Sequence, residues 1–271
     1  MGGTDRGVFV ACLWALFVCG AAGQVVVFED DFDSGVPAAI GPGTALAEGV
    51  QGYAGLGHPG NQFGGLFLRS ATGNVVTLTL SDLPAHDAVS VLFLFAAIDS
   101  LDGTGTFPEG DFLRVTVDGA EVFRESFANA TGGQIQSYVP PPGVELARRV
   151  DLGFTRGSFY LDSAYDLSLD PVFSDIPHAA STLTVAWQIE GPGIQDLADE
   201  SWAMDRLVVS VRTICPADLA APFGVLNFFD VAAYIGLYNA GDPAADFAGP
   251  FGSLNFFDVA AFIAAYNAGC P

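Results

Sequence analysis

The last 57 residues of this 271-residue chain are one 28-residue unit written twice, with a cysteine at either end. Ala217 to Gly241 reads ADLAAPFGVLNFFDVAAYIGLYNAG and Ala245 to Gly269 reads ADFAGPFGSLNFFDVAAFIAAYNAG, the same residue at 19 of 25 positions. A short tandem repeat is a supersecondary unit that buries its apolar face against its twin. Each copy reads as a loop leading into a helix. Asn227 caps a helix that opens at Phe228, and Asp230 at the third helical position answers back to the cap. Phe228, Val231, Ala232, Ile235 and Tyr238 recur at helical spacing, and Gly241 ends the run. Asn255, Asp258 and Gly269 repeat the plan. A small helix pair with pseudo-twofold symmetry is therefore expected over residues 213–271.

The opposite end reads as a targeting segment over residues 1–23. Arg6 is followed by an unbroken apolar run from Val8 to Cys19, and Ala21-Ala22-Gly23 supplies a small-residue cleavage site. The run is too short to span a bilayer. Lipid attachment at Cys19 would want a small residue before it, where Val18 stands. The expectation is a chain exported by a cleaved signal peptide, secreted or held at a cell surface, with no membrane insertion after cleavage. Export leaves two cysteines, Cys215 and Cys270, and a lone pair flanking one module in an exported chain reads as a disulfide. Closing that loop removes roughly 4 kcal/mol of chain entropy from the unfolded state, a useful staple for a module with a thin core.

Formal charge is −22, from 31 acidic and nine basic residues, and there is no lysine. Nucleic acid and anionic membrane surfaces are disfavoured partners. With 51% hydrophobic and 15% charged residues the chain is not a disordered acidic tail.

Residues 24–212 have the size of one sandwich domain, and their signals are strands. Asn74 to Leu80 alternates, with Val76, Leu78 and Leu80 on one face. Ala88 to Ile98 is apolar on both faces, as a central strand would be. Leu113, Val115 and Val117 point one way in the next strand, and Asp118-Gly119 gives a tight hairpin into Ala120 to Phe127. Leu183, Val185, Trp187 and Ile189 share one side of another, and Ser201 to Val211 closes the domain. Val25 to Phe28, Gly65 to Ser70 and Val150 to Tyr160 are weaker candidates. The fold class is mainly β, an antiparallel, jelly-roll-like sandwich followed by the small helical module. Val36 to Gly64 and Gly132 to Gly143 are Gly- and Pro-rich loops at its edges.

The repeat resembles the duplicated dockerin type of EF-hand module, in the variant on secreted bacterial proteins that ends in Gly-Cys. The phrase GVLNFFDVAAY, its near-identical second copy and the terminal Ala-Gly-Cys-Pro carry that likeness over residues 215–271, about a fifth of the chain. The resemblance implies calcium loops whose first position falls on Asp218 and Asp246 and whose last falls on Asp230 and Asp258. It also implies a cohesin-like or cell-surface partner met at the start of each helix, by Phe228, Phe229, Phe256 and Phe257. One phenylalanine of each pair is expected in the core and the other exposed, since adjacent helical residues cannot both face inward. The loops depart from the calcium pattern. Gly224 and Gly252 fit the turn, but Ala, Pro and Phe replace the intervening oxygen ligands and Asp218 to Asp230 spans thirteen residues rather than twelve. Both loops are expected to be metal-free or weak.

No catalytic signature stands out: there is no Gly-x-Ser-x-Gly, His-Glu-x-x-His or phosphate-binding glycine loop. His58, His86 and His178 sit alone in the sequence. The acids suggest a hard cation instead. Glu29-Asp30-Asp31 ends the first strand, Asp199-Glu200 and Asp205 lie at the start of the last, and first and last strands of a sandwich are commonly neighbours. Asp30, Asp31, Glu200 and Asp205 are thus a candidate calcium set, similar in outline to jelly-roll carbohydrate-binding modules; Asp99, Asp102 and Asp111 form a second candidate loop. Sugar-binding modules stack a flat aromatic against the ligand. Trp187 lies on the apolar face of its strand; Trp202, Tyr53, Tyr138 and Tyr165 lie nearer loops and are the candidates for ligand contact. Taken together, the sequence points to a secreted, non-catalytic protein that binds carbohydrate or another extracellular polymer and docks through its tail. A structural surface component without a ligand, or a small polysaccharide hydrolase with a docking tail, are the alternatives it leaves open.

Overall fold

The computed structural model describes residues 24–104, 110–130, 133–154, 160–213, 215–222 and 225–269. Residues 1–23, Phe223, Gly224 and Cys270 lie outside the described residues, and with them the expected signal peptide and cleavage site, the turn glycine of the first repeat and one half of the expected disulfide.

The strands, in chain order, are β1 (Gln24–Asp30), β2 (Ile40–Gly41), β3 (Leu46–Gly49), β4 (Gly57–His58), β5 (Asn61–Gln62), β6 (Leu66–Ala71), β7 (Val76–Leu80) and β8 (Ala88–Asp99). They continue as β9 (Phe112–Val117), β10 (Ala120–Ser126), β11 (Glu145–Val150), β12 (Asp162–Asp166), β13 (Ile176–Pro177), β14 (Leu183–Glu190) and β15 (Glu200–Arg212). They form an antiparallel sandwich. One sheet of the sandwich runs β11-β12-β8-β15-β6-β3, with β1 also on β15 and β13 also on β8. The facing sheet runs β10-β9-β14-β7-β2, and β4 and β5 pair with each other as a separate small ribbon.

The two longest strands, β8 and β15, are the spine of the larger sheet. They pair from Glu200↔Asp99 to Arg212↔Ala88, with one register break between Asp205 and Val208. β6 lies along the first half of β15 and β1 along the second. β8 is apolar on both faces because both are covered. Val89, Val91, Phe93, Phe95 and Ala97 enter the core between the sheets. Leu94, Ala96 and Ile98 enter a second cluster on the outer face, with Tyr53, Phe63 and Phe67 and, packed against them, Leu152 and Phe154. The smaller sheet keeps the alternation read from sequence: Val76, Leu78, Leu113, Val115, Leu183, Val185, Trp187 and Ile189 are all fully buried. Asp118 and Gly119, at φ +48° and +80°, make the two-residue hairpin; both central residues are left-handed, which glycine tolerates and aspartate accepts more readily than most.

Two sequence expectations change here. Of Val150 to Tyr160, only Val150, the last residue of β11, is in a strand where the segment is described. Strands flank it instead, as β11 and β12, and β12 (DSAYD) is buried throughout despite its polar letters. The histidines are not alone either. His86 Nε2 and His178 Nδ1 stand 2.6 Å apart, and His178 Nε2 is 2.9 Å from Asp118 Oδ2, tying the start of β8 to the β9–β10 turn.

The repeat folds as two helices, α1 (Phe228–Ala240) and α2 (Phe256–Ala268), each with the expected capping box at Asn227/Asp230 and Asn255/Asp258. Tyr234 stacks on its symmetry mate Phe262 at 4.0 Å, nearly parallel, and Phe247 meets both edge-on. The buried face is rotated from the one read in the sequence: Tyr234 and Asp230 point inward, while Phe228 and Ile235 are exposed. Among the described residues no helix is long and apolar enough to cross a membrane.

Phe93 sits edge-on to both Phe173 and Trp187 at the centre of the inter-sheet core. Phe93→Ala should lower unfolding free energy by about 3–5 kcal/mol in chemical denaturation; a loss under about 1 kcal/mol would contradict this placement.

Candidate functional site

The register break in β15 builds one side of a surface cleft. Between Asp205 and Val208 the strand bulges, and Arg206 takes a left-handed conformation at φ +52°. A bulge re-aims a side chain out of the alternation. Arg206 thereby joins Glu29, Asp30, Asp31, Ser34, Gly60 and Asn61 around a surface cleft of ≈ 450 Å³. Its Nη1 is 3.6 Å from Asp31 Oδ2 and its Nε donates to the Gln62 carbonyl at 3.1 Å.

The carboxylates of this region are held by backbone donors. Phe32 N–H donates to Asp30 at 2.7 Å, Asp33 N–H to Asp31 at 3.1 Å, and Gly64 and Arg206 N–H to Asp205 at 3.0 and 2.7 Å. Glu200 is not among them. It pairs with Asp99 at one end of β15, whereas Asp30 pairs with Leu207, seven positions further along the strand. The four-residue calcium set read from the sequence is therefore split. Asp30, Asp31 and Asp205 stay near the cleft, and Glu200 belongs to a different cluster.

That cluster is Asp102, Asp111 and Glu200, three buried carboxylates with one oxygen from each within 4.8 Å of the others. Asp102 and Asp111 come from the second candidate loop. Asp111 and Glu200 are fully buried, beyond the reach of a glycosidic bond in solvent. Burial raises all three above their ordinary range, Glu200 to about 9 and Asp111 to about 6, with the neighbouring acids adding to the rise at each. Gln195 supports Glu200 through its backbone and side-chain nitrogens, and Gln134 donates to Asp102.

The expected ligand-binding aromatics are not on the surface. Trp202 and Tyr53 are fully buried and Tyr138 nearly so. Each has a core reason. Trp202 lies against Phe95 between the sheets. The Tyr53 hydroxyl donates to the Ala97 carbonyl at 3.1 Å under the outer cluster, and the Tyr138 hydroxyl donates to Asp170 at 2.6 Å. Tyr165 is likewise core, its hydroxyl donating to Gln136. Nearness to a loop in sequence is a poor guide here, because the loops fold back over the sheets.

In the tail all four helix-start phenylalanines are exposed: Phe228 75%, Phe229 62%, Phe256 75% and Phe257 65%. The inward position of each first turn is taken by aspartate instead, which corrects the one-in, one-out expectation. Asp230 accepts from the N–H groups of Leu219, Ala220 and Asn227, and Asp258 from those of Ala248 and Asn255. Although burial acts the other way, these hydrogen bonds hold both carboxyls below their ordinary range. Asp246 accepts from Gly252 N–H, and Asp218 stands at the equivalent place in the first loop. A cation loop turns oxygens inward. These loops turn N–H groups inward onto an anion.

No family model matches the chain, and no curated protein matches it. Solved structures similar in part include a family GH115 4-O-methyl-alpha-glucuronidase with specificity for decorated arabinogalactans (14% identity, 69% of this chain and 18% of that chain, TM-score 0.32). They also include the Agl-KA catalytic domain (17%, 84% and 36%, TM-score 0.34). A third is the CBM22-2 xylan-binding domain from Paenibacillus barcinonensis Xyn10C (12%, 68% and 98%, TM-score 0.31). The chain thus spans well under two thirds of the first two. Likeness at this level is no evidence of shared activity.

Burial lifts Asp205 from 3.8 to about 7, outweighing its two N–H donors and Arg206. A carboxyl raised on folding contributes stability that is complete below the unfolded value and lost as pH climbs through the folded one. Asp205→Asn should therefore be more stable than wild type at pH 8, relative to pH 4, by roughly 2–4 kcal/mol. Parallel stability–pH curves for the two proteins would refute it.

Proposed function

We propose that the protein is a secreted, non-catalytic binding protein whose sandwich recognises carbohydrate or another extracellular polymer and whose dockerin-like tail docks it to a cohesin-like or cell-surface partner. The observation that carries the ligand half is the Arg206 cleft. Its volume is in the range of small-ligand sites, and beside Leu207 and Val208 its walls offer carboxylates, a hydroxyl, an amide and a guanidinium. Those groups suit a ligand rich in hydroxyls, recognised by hydrogen bonds instead of ring stacking. The docking half is supported by the four exposed phenylalanines, two at each helix start. An exposed aromatic patch of this kind marks an interaction site. In this reading residues 1–23 are the export signal, 24–212 the binding domain and 213–271 the docking module, stapled by Cys215 and Cys270.

The burial of Trp202, Tyr53 and Tyr138 favours a second reading, a structural surface component with no ligand. Retention of the full chain on a panel of insoluble polysaccharides separates the two. Binding is expected on at least one polymer, weakened about ten-fold or more by Arg206→Ala or Asn61→Ala, and unchanged when Phe228 and Phe256 are replaced by alanine. Failure to bind any polymer, or equal binding by the cleft variants, would leave the structural reading.

A further inference from the structure

We infer that Asp102, Asp111 and Glu200 form a binding site for a hard divalent cation of the calcium class, clamping the two sheets together at one end of the sandwich. The inference is independent of the polymer-binding reading. Glu200 opens β15 in the larger sheet, Asp111 immediately precedes β9 in the smaller, and Asp102 lies on the loop between β8 and β9. Three carboxylates from three places in the fold, all buried, converge so that one oxygen of each lies within 4.8 Å of the others. Calcium holds its oxygens about 2.3–2.6 Å away, so any two of its ligands stand no more than about 5 Å apart. The cluster has that span.

A second observation is independent of the clustering. Asp111 Oδ2 accepts the Asp102 N–H at 2.5 Å, while Asp111 Oδ1, fully buried, accepts no hydrogen bond among the described residues. A buried carboxylate oxygen without a donor is costly. A cation supplies what that oxygen lacks. Four other buried acids differ: Asp162, Asp205, Asp230 and Asp258 each receive two or more backbone N–H groups. The neighbours of the three clustered acids are amides and further acids, and no arginine lowers any of them. The donor set is oxygen only, which selects calcium or magnesium over zinc or copper. Ligands from separate segments, in no regular polyhedron, suit calcium's tolerant geometry better than magnesium's octahedron. The competing arrangement is a cluster kept neutral by protons.

Calcium titration of the chelator-treated full chain, read by calorimetry and by thermal unfolding, decides between them. In wild type, saturating calcium should raise the unfolding midpoint by on the order of 5 °C. Glu200→Gln, which keeps the shape but cannot ionise, should lose that rise and bind calcium at least about ten-fold more weakly. In chelator the same variant should be no less stable than wild type, because Gln resembles the protonated acid. Asp111→Asn is the second variant should the first not fold. An Asp218→Asn/Asp246→Asn protein, altered only in the tail, should keep the full response. No calcium-dependent rise in wild type, or an undiminished rise in Glu200→Gln and Asp111→Asn, would overturn the inference and leave a proton-sharing cluster.

Discussion

With 31 acidic residues, nine arginines and no lysine, this chain has few cations for its buried carboxylates. Among the described residues Asp99 lies 3.9 Å from Arg69 and Asp166 lies 3.1 Å from His58, and the other buried acids have no ion pair. Ten carboxylates are buried among the described residues, against a single buried arginine, Arg69. An uncompensated buried charge is too costly to leave alone, so each must find backbone N–H groups, a neutral donor, a proton or a cation. Most of the local architecture follows from which solution each acid adopts. Asp162 bridges the N–H groups of Asp99 and Leu152, and Asp170 caps a turn while accepting the Tyr138 hydroxyl. In the tail, Asp230 and Asp258 gather their own loops around themselves. Among the described residues, Asp102, Asp111 and Glu200 form the one group of three acids whose carboxylate oxygens lie within 4.8 Å of one another.

The same rule shapes the loops of the tail. The acid at the last position of each loop accepts the loop's own N–H groups. The same residue that opens the helix closes the loop, so the module keeps its shape with Ala, Pro and Phe where ligands would stand. The first turn's inward place is then occupied, and both phenylalanines beside it are turned to solvent. The exposed aromatic surface and the altered loop have one cause.

Much of the sandwich was legible because its signals are local. Alternation in β7, β9 and β14, the two-sided apolar run of β8 and the Asp118-Gly119 hairpin depend on residues close in the chain. The capping boxes of the helices were legible for the same reason. What escaped depends on partners far apart in sequence. β12 looks polar because its serine and aspartates are satisfied by donors from distant loops. Trp202, Tyr53 and Tyr138 look like loop aromatics until the loops fold over the sheets. The cleft exists because β15 bulges at Arg206, and no residue pattern announces a bulge. Glu200 and Asp205 are five residues apart on one strand, about 16 Å at 3.3 Å per residue, so they serve two different clusters.

The most direct test is an anomalous difference map from crystals of the full chain grown in calcium, collected at a wavelength where calcium scatters anomalously. One strong peak is expected, equidistant from carboxylate oxygens of Asp102, Asp111 and Glu200, with none inside the loops at Asp218/Asp230 and Asp246/Asp258. Peaks in those two loops and none at the buried cluster would contradict the assignment of N–H donors to the loops and of the cation to the sandwich.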